Sequence, residues 1–133
     1  MRMRLLSILA LVVLLAVPAM AGSAHFVGTP QMTISGDLLA VSGKVAGLGN
    51  VPQIHVVLSA DAACVNRGGQ NPEAENKDTF MVEGDFPVQN GKSLFLLALE
   101  ATFQPSCAPP MHVVWSDVAL IVTAADGTVL LFP

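Results

Sequence analysis

The chain is written in short stretches of alternating apolar and polar residues, the two-residue period of a β-strand with one buried and one solvated face. Leu39, Val41, Gly43 and Val45 alternate with Ala40, Ser42 and Lys44. Ile54, Val56, Leu58, Ala60, Ala62 and Cys64 share a face opposite His55, Ser59 and Asp61, so Cys64 is expected to point into the core. Phe80, Val82, Gly84, Phe86 and Val88 alternate with Met81, Glu83 and Asp85. Residues 94–103 are apolar almost throughout, which predicts a central strand. Residues 111–124 are also strand-like, but their parity is ambiguous across Ser116 and Asp117, where a bulge would shift the register.

Turn chemistry separates these stretches. Gly28, Thr29 and Pro30 interrupt the first β-prone pieces, which predicts a bent first strand at a sheet edge, because proline has no N–H to donate. The run from Gly47 to Asn50 closes the second strand. Asn90 and Gly91 suit the positive φ angles of a tight hairpin, and Asp126 and Gly127 lead into a last strand over residues 128–132. No helical stripe follows the first 21 residues. The expected fold is all-β: an antiparallel β-sandwich of about seven strands, immunoglobulin-like in outline, with one disulfide. The cysteine spacing departs from an antibody domain, since a long loop and a hairpin separate the two and Trp115 follows the second. A small barrel is the alternative.

The amino terminus follows other rules. Arg2 and Arg4 precede 13 apolar-rich residues at 5–17, and Ala19 and Ala21 place small side chains where a signal peptidase reads them. That run is shorter than the ~20 residues of a membrane span. Residues 1–21 are therefore expected to be a signal peptide, leaving a single domain at 22–133, secreted or otherwise extracytoplasmic and not inserted in the membrane. Loss of the two arginines takes the net charge from −4 to −6, which disfavours nucleic acid and anionic lipid as partners. In an oxidising compartment, Cys64 and Cys107 are expected to pair, a link worth about 4 kcal/mol in the chain-entropy model.

The stretch CVNRGGQNPEAENKD, residues 64–78, is a long polar loop with no period. Together with SGKVAGLGN, QNGK and CAPPM, it resembles a group of small exported bacterial proteins that carry a Cys-x-Asn-x-Gly-Gly-x-Asn type of loop. The resemblance spans most of the chain after residue 21. It implies an exported β-sandwich and brings no catalytic or ligand residue with it.

Candidate chemistry is sparse. There is no GxSxG and no helix to follow one, so a hydrolase ranks last. His25, His55 and His112 are dispersed, with His55 read as an outward strand residue and His112 as a strand start. Glu73 and Glu75 lack an apolar pocket to raise one carboxyl pKa. Asn66, Asn71, Glu73, Glu75, Asn76 and Asp78 offer oxygen ligands of the kind calcium takes, in an order that is not an EF-hand. No metal or other cofactor is expected. Trp115 is the one ring outside the phenylalanines and is expected to pack on the disulfide. The reading that results is a non-enzymatic binding module. It meets a protein or glycan partner through Asn66, Arg67, Gln70, Asn71, Glu73, Glu75, Asn76 and Asp78. The alternative is a structural or cell-surface subunit that associates through its sheet edges, residues 128–132 foremost.

Overall fold

The computed structural model describes residues 23–66 and 77–133. The expected signal peptide lies outside the described residues, as do Arg67, Gln70, Asn71, Glu73, Glu75 and Asn76. Eight strands form two antiparallel sheets: β1 (His25–Phe26), β2 (Gln31–Ser35), β3 (Leu38–Ala46), β4 (Gln53–Val65), β5 (Lys77–Pro87), β6 (Ser93–Glu100), β7 (His112–Ala124) and β8 (Val129–Phe132). One sheet places β1 and β2 along one edge of β3 and β6 along the other, and the second has the order β5-β4-β7-β8. β1 and β2 are the two halves of the bent first strand: Phe26 pairs with Val45 and Gln31 with Ser42, so residues 27–30 lie opposite only 43 and 44. Counted as strand lines, the sandwich has the seven that the pattern predicts.

The alternating residues fill the space between the sheets. Leu39, Val41 and Val45 of β3 and Phe95, Leu97 and Leu99 of β6 face Ile54, Val56 and Leu58 of β4 and Leu120 and Val122 of β7, all buried. Fully burying such a side chain contributes about 1.5–3 kcal/mol, so this layer dominates the favourable side of folding. β5 closes the second sheet with Phe80, Val82 and Phe86 half-buried over the same core.

β6 departs from expectation. It ends at Glu100 and hydrogen-bonds only to β3, so it is an edge strand rather than a central one. The continuous apolar run reflects an uncovered outer face: Leu94 and Leu96 are 71% and 63% exposed, while their neighbours Phe95 and Leu97 are buried.

The turn between β5 and β6 is the expected two-residue hairpin turn. Asn90 and Gly91 have φ of 54° and 74°, and Gln89 and Lys92 exchange backbone hydrogen bonds of 2.8 and 3.0 Å. The strands it joins nevertheless belong to different sheets. Val88 N–H donates to the Pro52 carbonyl and Leu48 N–H to the Gly91 carbonyl, both at 3.0 Å, which anchors the turn while β4 draws β5 away and β3 draws β6.

The expected register shift in β7 is present. Ser59 pairs with Ala119 and Asp61 with Ser116, so Asp117 and Val118 together oppose Ala60. Asp117 takes a φ of 52°, which an aspartate tolerates better than most residues. The extra residue changes which parity faces inward: Val113 and Trp115 before it, Val118, Leu120 and Val122 after it.

Cys64, at the end of β4, is buried and bonded to Cys107 in the β6–β7 connection, with Cα atoms 5.7 Å apart. Trp115 pairs with Ala62, one inward step from Cys64. Its ring meets Phe80 edge-on at 6.3 Å, and Nε1–H donates to the Gly36 carbonyl at 3.2 Å, tying one sheet to the other.

Candidate functional site: a polar cleft where the long loop joins the sheet

The outward positions of β5, β4 and β7 converge at the end of the second sheet that carries the long loop. Thr79, Asp61 and Ser116 form one row across the three strands, Lys77, Ala63 and Val114 the next, and Val65 and His112 the last. Between them lies a cleft of about 670 Å³, to which Asp78 and Asp117 also contribute. Each group arrives for a local reason. Period two sends Asp61 and Thr79 to the solvent face, and the bulge brings two successive residues, Ser116 and Asp117, to one rim.

Hydrogen bonds hold part of this rim. Thr79 Oγ1–H donates to Asp61 Oδ1 at 2.6 Å, and the Thr79 backbone N–H donates to Asp78 Oδ1 at 2.8 Å. The floor is apolar, from Ala63, Val65 and Val114. The wall holds three carboxylates against Lys77 and His112. Apolar footing under a few convergent polar groups is the usual make-up of a ligand site.

Of the loop residues expected to bind, Asn66 and Asp78 are described, and both are exposed. Asp78 lines the cleft, and residues 67–76 join Asn66 to Lys77, so the polar segment enters and leaves at the cleft's rim. Asp61, Lys77, Thr79, His112, Ser116 and Asp117 were not expected as site residues. The outward parity of Asp61 was visible in the sequence, but that of Ser116 and Asp117 was ambiguous, Lys77 fell in the loop, and the pairing of β4 with both β5 and β7 was not visible.

The other polar cluster lies on the same sheet, away from the cleft. His55 Nδ1 is 2.7 Å from Asp85 Oδ1 and Nε2 is 3.2 Å from Glu83 Oε2, with all three side chains largely exposed. The hydrogen bond to Asp85, then that to Glu83, holds the imidazole pKa above its ordinary 6.5. A ring engaged at both nitrogens has no free lone pair for general-base work. Among the described residues, no group of three His, Cys, Asp or Glu side chains is placed to hold a metal ion. A second hollow, between the turns at 47–52 and 88–92, is lined mainly by glycine, proline and valine. No protein-family model, curated protein or solved structure matches this chain.

Proposed function

We propose that this is an exported, non-enzymatic binding module whose recognition surface is the cleft at the loop-bearing end of the second sheet, together with the polar segment 66–78. One observation carries the reading: three adjacent strands deliver hydroxyl, carboxylate, ammonium and imidazole groups to one concavity above an apolar floor. Polar groups of both signs suit a protein or glycan surface rather than a phosphate backbone, and the net charge of −6 after residue 21 points the same way. The Cys64–Cys107 link fastens β4 two residues before Asn66, where the segment begins, which lowers the cost of ordering that surface on a partner.

The test is a binding screen of the oxidised protein against a glycan array and, separately, against extracellular protein fractions. Two variants run beside it: Asp61→Ala with Lys77→Ala, and serine at Arg67, Gln70, Glu73 and Glu75. The first loses the Thr79–Asp61 hydrogen bond, worth about 0.5–1.5 kcal/mol, and both are expected to melt within a few degrees of the wild type. Both are expected to lose the partner that the wild type retains. A partner held equally well by both variants would place the recognition surface elsewhere, and wild-type protein that binds in neither arm would overturn the reading.

A further inference from the structure

Strand edges are templates for further strand pairing unless something blocks them. Among the described residues, four of the six edge segments are blocked. β5 carries Lys77, Asp78, Glu83 and Asp85. β6 runs beside β5, with Phe95 edge-on to Phe86 at 6.3 Å and Leu97 3.3 Å from where a Cβ on Gly84 would stand. β8 is left largely open: Phe132 meets Phe26 of β1 at 6.3 Å, but Val129 and Leu131 are 56% and 71% exposed and its ladder is to β7 alone. The half of β7 that β8 does not cover carries the Asp117 bulge. β1 is two residues long.

Of the two segments without such a block, β2 is the longer. Its sequence, QMTIS, has no charge, no proline and no bulge, all five residues are exposed, and its ladder is to β3 alone. Met32 and Ile34 pair with the buried Val41 and Leu39 and so share the core-facing side of the sheet, yet they remain 50% and 51% exposed. Two apolar side chains on the inner face stand at the rim, and among the described residues no strand pairs with β2 on that side.

We propose that β2 is a self-association edge and that its occupant is β2 of a second copy of this chain, paired antiparallel about a two-fold axis at Thr33. The strand is symmetric in character about that residue. In this register Met32 lies opposite the second copy's Ile34 on the inner face, and Gln31 lies opposite the second copy's Ser35 on the outer face. Each apolar residue meets an apolar one and each polar residue a polar one, the self-complementarity that an isologous contact requires. The two copies of Thr33, which pairs with Ala40 on the outward face, stand directly opposite each other. The first sheet then continues without interruption into its copy, and Met32 and Ile34 gain cover they lack in the monomer.

The central position makes the register testable by charge exchange. Sedimentation velocity over a concentration series is expected to show the oxidised wild type forming dimers at high concentration. Thr33→Lys and Thr33→Glu each place like charges face to face and are expected to weaken the dimer by about fivefold or more at low salt. An equimolar mixture of the two is expected to associate more strongly than either alone. Thermal melts of both variants check that the monomer still folds, and concentration-dependent protection of the amides of residues 31–35 from hydrogen exchange provides a reading on the wild type itself. A wild type that stays monomeric at millimolar concentration overturns the proposal. So does a Thr33→Lys variant that dimerises like the wild type, or a mixture no stronger than its components.

Discussion

Gly43 shows how closely single residues are specified. It faces Phe95 across the β3–β6 ladder, and a methyl group there would lie 2.6 Å from the ring's Cζ. The ring has little freedom to swing aside, because Phe26 and Phe86 meet it edge-on, each at 6.3 Å. Gly43→Ala is expected to cost about 1–3 kcal/mol, the usual range for overpacking a core, read as a lower urea midpoint at an unchanged m-value. His55 makes a different kind of prediction. Its pKa is raised by Asp85 and then Glu83, so protonation is favoured in the folded state. The stability this contributes is fully present below the unfolded value near 6.5 and is lost as pH rises through the folded value. The melting temperature should therefore fall slightly as pH rises above about 6.5, and His55→Gln should flatten that part of the profile. A titration of the imidazole by NMR should give a midpoint above 6.5. At this scale the sequence is only partly legible: the outward parity of His55 follows from period two, but its two carboxylate partners lie 28 and 30 residues away and depend on the β4–β5 register.

Among the elements, β6 is the one most easily misread. An apolar residue at every position means cover on both faces only if a neighbour supplies it, and sequence pattern alone does not distinguish a covered outer face from a bare one. The two faces of this strand should answer differently to substitution. Leu94→Thr with Leu96→Thr is expected to change stability by no more than about 0.5 kcal/mol per site, whereas Leu97→Ala, on the buried face, should cost about 2–5 kcal/mol by chemical denaturation. The bulge in β7 was legible because the alternation itself breaks at Ser116 and Asp117. The turn at Asn90 and Gly91 was legible for the same local reason, as both residues carry the conformational preference themselves. The disulfide, expected from two cysteines in a chain read as exported, joins the end of β4 to the β6–β7 connection. Replacing both cysteines with alanine should lower stability by up to about 4 kcal/mol, measured as a fall in melting temperature matched by adding reductant to the native protein.

For the molecule as a whole, the chain crosses between sheets three times, at β3 to β4, β5 to β6 and β6 to β7. Nothing in the flanking residues states a crossing, since strands bound for either sheet show the same alternation. The sandwich class was therefore readable, while the assignment of strands to sheets was not. The cleft shares that fate, because its three walls come from strands whose adjacency is decided by the fold. The disulfide also gives the molecule a mechanical character. Held at its two ends and stretched, the oxidised chain cannot extend the span between Cys64 and Cys107, a separation of 43 residues. At about 3.5 Å per extended residue, roughly 150 Å of contour is withheld. Single-molecule stretching should find this length released when reductant is added. Tension on the oxidised form unravels β1 to β4 and β7 to β8, while β5 and β6 ride on a closed ring that carries no load.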